Sequence, residues 1–252
     1  MKKIRQFNLF GIRFLNGDYV YIMQQLNKGS FMVVPSGPGL ASMDLDEKYA
    51  ESIRNSDFAI PDSGFMVLLI KIFFRKHILK FSGAKFIKLF LKESILKEKN
   101  TLFLIDPSLD ESITNREYLN SLGIPIQQEY QYVAPIYNKE NIEDSILLNK
   151  LKNLDTRPKY IMINIAGGIQ EKLGYYLKKN FSNSTSLICT GAAIAFLTGK
   201  QAKIPSFIDN MYLGWFARIV QNPKLYTIRY IKAFRLFYMF YHNANNKEFS
   251  IE

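Results

Sequence analysis

Short runs of consecutive apolar residues, each closed by turn-forming residues, recur along the chain. Residues 31–35 (FMVVP) lead into SGPG and residues 57–60 into PDSG; residues 101–105 (TLFLI) stop at Asp106 and Pro107. Residues 160–165 (YIMINI) stop at Gly167 and Gly168, and residues 185–190 (TSLICT) at Gly191. β-Branched and aromatic residues dominate, so these runs read as strands, and the Gly, Pro, Asp and Ser clusters read as their turns. Helically spaced segments lie between them. Over residues 44–56, Leu45, Tyr49 and Ile53 recur every four positions behind Asp44, which can cap a helix. Residues 113–121, 170–181 and 192–198 follow their strands in the same way. Strands without polar alternation are buried on both faces, which requires helices above and below a parallel sheet. The pattern therefore predicts an α/β fold, a Rossmann-like, doubly wound, mostly parallel sheet flanked by helices. Ligands of such sheets sit beyond the carboxyl ends of the strands. SGPG, PDSG, AGGIQE and TGAA are the places to look for chemistry.

The last fifth differs in character and divides the chain into an α/β domain, residues 1–199, and a basic, aromatic, helical appendage, residues 200–252. From 200 to 240 run Lys200, Lys203, Arg218, Lys224, Arg229, Lys232 and Arg235 against a single acid, Asp209. That is a net +6 of the chain's +11, with Trp215, Phe216, Tyr230, Phe234 and Tyr238 set among the cations. Cations and rings on helices suit an anionic membrane surface. Single-stranded nucleic acid would use the same ingredients, and aromatic residues packed onto the sheet beside a solvated charged face would give the same spacing.

Composition narrows the classes. Apolar residues at 48% and charged residues at 22% exclude wholesale disorder. One cysteine, Cys189, excludes a disulfide framework and a multi-cysteine zinc site, and two histidines exclude a histidine-rich metal centre. A reduced, cytoplasmic setting is expected. The longest apolar windows, residues 65–81 and 225–241, are broken by Lys71, Arg75 and Lys76 and by Arg229, Lys232 and Arg235, so neither is expected to cross a bilayer. Asn8, Gly11 and Arg13 interrupt the first apolar stretch before it reaches signal-peptide length.

Asp62, at the end of residues 57–60, can act as a general base at the sheet's carboxyl edge. Its plain alternative is a Pro-Asp-Ser-Gly turn with no chemistry. In AGGIQEK, Gly167 and Gly168 let a backbone approach a ligand closely, and the helix start that follows suits a phosphate. Gln170 and Glu171 can hydrogen-bond a sugar or base, or Glu171 can simply complement the helix dipole. Neither a dinucleotide fingerprint nor a P-loop is present. Cys189 reads as a buried structural thiol.

The order PDSG, SG, GGIQEKLGYYL, CTGAAIAFLTGKQAKIP, LGWFARIVQNPK, RY resembles the WecG/TagA/CpsF family of bacterial glycosyltransferases, from about residue 14 to about residue 240. The resemblance implies transfer of a sugar, N-acetylmannosamine-like or another hexose, from a UDP-sugar donor. The implied acceptor is a polyprenyl-diphosphate-linked sugar at the cytoplasmic face of the cell membrane, with inversion at the anomeric carbon. Asp62 then matches the family's presumed base, and Gln170, followed by Glu171, matches a donor-pocket glutamine. Ser36 falls near a donor-contacting threonine, Lys80 stands where an arginine contacts the diphosphate, and Gly191 opens the second glycine loop. The basic segment with Arg218, Lys224, Arg229, Lys232 and Arg235 matches a membrane-docking appendage. The sequence departs from the family where PDG becomes PDS, where the Thr-x-Asn loop becomes PSGPG, and where Lys85 replaces an aspartate.

The chemistry expected from this reading needs no cofactor and no metal. The only Asp-x-Asp, at 44–46, lies at a helix start, so Lys80, Lys85 and the backbone after Gly167 and Gly191 are expected to hold the departing diphosphate. The partners expected are the donor, the lipid-linked acceptor and an anionic membrane surface, without nucleic acid; a homo-oligomer is compatible with it. A non-catalytic, basic, nucleic-acid-binding α/β protein and an inactive family scaffold are the competing readings.

Overall fold

All five runs form strands in the computed structural model, which describes residues 5–181, 184–200, 231–246 and 249–251. They are β3 (Phe31–Val33), β4 (Phe58–Ala59), β5 (Leu102–Asp106), β7 (Tyr160–Ile163) and β8 (Ser186–Cys189). The described residues add a hairpin, β1 (Gln6–Leu9) and β2 (Ile12–Leu15), and two short strands, β6 (Gln131–Val133) and β9 (Ser250–Ile251). One sheet runs in the order β6-β5-β7-β8-β3-β4-β2-β1-β9. Pairing is parallel from β6 through β2, and antiparallel where β1 meets β2 and β9.

Successive side chains of each strand feed opposite faces, and both faces are covered. Phe31, Val33, Ile161, Ile163, Leu187 and Cys189 enter one buried cluster; Met32, Tyr160, Met162 and Ile188 enter the other. The first cluster is closed by α3 (Glu47–Arg54), α4 (Gly64–Phe74), α7 (Ser145–Lys152), α8 (Gln170–Asn180) and α9 (Arg235–Asn246). The second is closed by α1 (Tyr19–Leu26), α5 (Gly83–Phe90) and α6 (Leu109–Ser121). Two-sided burial is the physical reason the strands read as unbroken apolar runs. The halves of the sheet meet at β8 and β3, paired through Val33 and Cys189.

Several expectations shift. The helix expected from Asp44 starts later, because Asp46 is its cap: Oδ1 of Asp46 accepts from the Tyr49 N–H, and Leu45 is 67% exposed rather than part of a buried stripe. The segment 192–198 is a 3-10 turn over Gly191–Phe196 instead of an α-helix. Arg218, Lys224 and Arg229 lie outside the described residues. The described part of the expected appendage is built into the sheet domain. α9 buries Leu236 and Phe240 in the first cluster, and β9 pairs Ile251 with Phe7 of β1. Lys232 is exposed, whereas Arg235 is held by Asp44 at 2.6 Å.

Candidate active site

Four loops converge where β3, β4, β7 and β8 end. After β3, Ser36 opens a single helical turn, α2 (Gly37–Leu40), and its Oγ accepts from the Gly39 N–H at 3.2 Å. After β4, Ser63 caps α4 by accepting from the Met66 N–H at 3.2 Å. The two loops touch: a Cβ on Gly37 would lie 2.9 Å from Ser63 Oγ, so only glycine fits there without a shift.

Asp62 sits between them, half-buried. Its Oδ1 accepts from the Gly83 N–H at 3.0 Å, at the first residue of α5. The side chain thereby satisfies one of the amides that the first turn of a helix leaves without a partner. Gly83 in turn lies against β3 and β8, because a Cβ there would approach Val34 Cγ1 to 3.3 Å, Ala193 Cβ to 3.7 Å and Thr190 Cβ to 3.8 Å. The carboxylate is therefore joined through one residue to the seam between the sheet halves. Phe81 anchors the same loop by donating its N–H to Pro61 O at 2.9 Å, which places Lys80 next to it in the chain. Lys85 is exposed in the first turn of α5, with Nζ 5.3 Å from the centre of the Phe81 ring.

Beyond β7 and β8 the glycine loops are locked together from behind. Gln170 Oε1 accepts from the Gly191 N–H at 2.7 Å, and Gln170 Nε2 donates to Glu171 Oε1 at 2.9 Å. Glu171 Oε2 accepts from the Gly168 N–H at 2.7 Å. Both side chains are buried, at 3% and 2% exposure, and brace the two loops against each other. The N–H groups of Gly168 and Gly191, expected to meet a diphosphate, are already bonded. Burial pushes the Glu171 carboxyl up, against the downward pull of its hydrogen bonds and of Lys172. It also pushes the Tyr49 hydroxyl up, helped by the nearby Glu171 and Asp46. A Cβ on Gly39 would lie 2.7 Å from that hydroxyl, so Tyr49 joins this wall to the Ser36 loop.

Three features were not anticipated. Gly83 was legible only as the glycine of an Ser-Gly helix start. Tyr49 appeared as one member of a helical stripe. Asp106, read as a strand stop, is fully buried, and its Oδ1 accepts from Asn115 Nδ2 and Asn164 Nδ2, both at 2.8 Å. Burial pushes its carboxyl up. The aspartates of Asp-x-Asp are both engaged, Asp44 by Arg235 and Asp46 by Lys172 at 2.8 Å. Among the described residues no three His, Cys, Asp or Glu side chains converge, and no helix is long and apolar enough to cross a membrane.

A mostly parallel sheet covered by helices on both faces, with a half-buried carboxylate and two braced glycine loops at the carboxyl ends of its strands, defines an α/β protein of the doubly wound class. The description "Glycosyl transferase WecG/TagA/CpsF family" matches residues 7–249, nearly the whole chain, and the chain belongs to that family. No curated protein matches it. Membership makes it a glycosyltransferase of polysaccharide biosynthesis, with a sugar donor and an acceptor as substrates.

Proposed function

We propose that the protein transfers a hexose, N-acetylmannosamine or a relative, from a UDP-sugar to a polyprenyl-diphosphate-linked acceptor, with inversion and without a metal. It works from the cytoplasmic side, bound peripherally to the inner face of the cell membrane. Asp62 is the base. The Gly83 N–H at 3.0 Å fixes one carboxylate oxygen, and the other is reserved for the acceptor hydroxyl. As that oxygen attacks the anomeric carbon from the face opposite the diphosphate, the proton passes to Asp62 and the glycosidic C–O bond breaks. Negative charge then grows on the leaving UDP, where Lys80 and Lys85 supply the opposing charge. Gln170 and Glu171 serve at one remove, keeping the loops of Gly167, Gly168 and Gly191 in register with Ser36 across the seam. Because the Asp-x-Asp carboxylates have protein partners, the charge on the diphosphate is assigned to side-chain cations.

The observation that carries this reading is the position of Asp62, part-exposed at the start of α5 and one residue from the β3–β8 seam. Asp62→Asn keeps the shape of the side chain but cannot take the proton. Transfer, assayed with chelator present throughout, should fall by at least a hundredfold, roughly what a positioned base contributes. Binding of the UDP-sugar, read by calorimetry, should change little. Turnover by the variant near the wild-type rate removes Asp62 from the mechanism, and loss of wild-type turnover in chelator removes the metal-free step.

A further inference from the structure

Between Asp62 and Glu93 the chain holds seven lysines and arginines and no aspartate or glutamate. This is denser positive charge than in the basic tail, and its first half is α4. Met66, Val67, Leu69 and Ile70 of that helix are buried, while Leu68, Lys71, Ile72 and Arg75 are exposed. The exposed set is spaced i, i+3, i+4, i+7, which makes one outward line of two large aliphatic residues and two cations. Lys76 and Leu79 follow it, also exposed.

This line is not isolated. Phe65 meets Phe234 edge-on at 5.8 Å and Phe73 meets Phe237 at 5.1 Å, so α4 lies side by side with the C-terminal helix. Ile72 is seven positions after Phe65 and thus on the same line of α4, next to that junction. On the other side of it Phe234, Phe237, Tyr238 and Tyr241 are each half exposed or more. A contiguous apolar face of this kind is rare on a free surface and marks a contact. The backbone gives a second sign. Arg75 ends α4 with φ +53°, a left-handed position that favours glycine, so a cation is kept where a cheaper residue would close the helix.

We propose that the outer face of α4, with Leu68, Lys71, Ile72, Arg75 and Lys76, is a lipid-contact surface that lies on an anionic bilayer together with the aromatic face of residues 231–241. The proposal rests on the membrane-bound transferase reading and adds a second contact element to it. Aliphatic and aromatic side chains enter the boundary between headgroups and acyl chains, and the cations meet lipid phosphates. A second copy of this chain is a poor occupant, because a two-fold contact would set this acid-free face against itself. The arrangement also has a use. α4 begins at Gly64, two residues after Asp62, and its 11 residues span about 16 Å, so a diphosphate in the headgroup layer is within reach of the base.

The test uses the full chain and vesicles of phosphatidylglycerol and phosphatidylcholine. Replacing Lys71, Arg75 and Lys76 together by Gln should weaken vesicle binding on the order of a hundredfold, about fivefold for each cation. Leu68→Gln with Ile72→Gln should weaken it at least tenfold. All five side chains are exposed, so thermal melting should stay near wild type, and turnover on a short-chain, water-soluble acceptor should persist. Wild-type vesicle binding by both variants overturns the proposal, as does a change in sedimentation mass with vesicle binding intact, which would assign the face to a second copy. If the wild type floats with vesicles through α4 but turns over no UDP-sugar, the transferase reading falls and the lipid face stands. If it transfers sugar to the soluble acceptor without binding vesicles, the lipid face falls alone.

Discussion

At Gly174 in α8, helix propensity and packing point in opposite directions. Alanine is the better helix former by about 0.8–1 kcal/mol. A Cβ at this position, however, would lie 2.5 Å from Phe31 Cε2 and 2.9 Å from its Cζ, on a ring that is itself buried in β3. Overpacking of a closed core costs about 1–3 kcal/mol, so packing should win. Gly174→Ala is expected to lower the urea midpoint, and a raised midpoint would show that α8 can move off β3. Glu171 gives a pH signature. Burial raises its folded-state pKa above the unfolded value of about 4.5. Below that value both states hold the proton and the group's contribution is intact. As pH climbs toward the folded pKa the unfolded chain ionises first, so stability is lost across that window. Glu171→Gln cannot ionise, and urea melts from pH 4 to 8 should show the variant gaining on wild type as pH rises. A flat difference would contradict the raised pKa. At this scale the sequence was informative about where side chains fall along the chain and less so about what they touch. Asp62 and Ser36 follow strands and could be picked from turn signals. The roles of Gln170 and Glu171 depend on β7 and β8 being neighbours, which brings Gly191 to a residue 21 positions earlier.

The hairpin of β1 and β2 shows why some elements escaped the pattern. Its turn is Phe10–Gly11, with φ of +56° and +76°, where an Asn-Gly pair would have announced it. The unfavourable Phe10 is held by tertiary packing: it is 4% exposed and meets Phe240 of α9 edge-on at 5.2 Å. α4 escaped for another reason. Its residues are apolar nearly all round, so periodicity had little contrast to work with. Phe240 is the side chain through which α9 grips the rest of the molecule, contacting Phe10, Phe73 and Phe74. Phe240→Ala should cost about 3–5 kcal/mol, measured as a fall in unfolding free energy. A loss under 1 kcal/mol would mean that α9 is a loose attachment. The strands β3, β5, β7 and β8 were legible because burial on both faces leaves unbroken apolar runs, whereas β6, three residues at an edge, leaves no pattern.

Across the whole molecule the two buried clusters divide by face, and the loops of Ser36, Asp62, Gln170 and Gly191 lie at the edge where the parallel strands end. The alternating order of elements was sufficient to place that edge, since parallel strands all end on the same side. It was not sufficient to show that the C-terminal segment belongs to the sheet. β9 pairs with β1, joining Ile251 to Phe7 at one edge of the sheet, and Phe249 stacks on Phe74 at 4.3 Å. Such a non-local pairing should form late. β1 has β2 along one side and depends on β9 for the other. Clipping the chain ahead of Phe249 would bare that side of β1 as an open strand edge and take the stacked ring off Phe74.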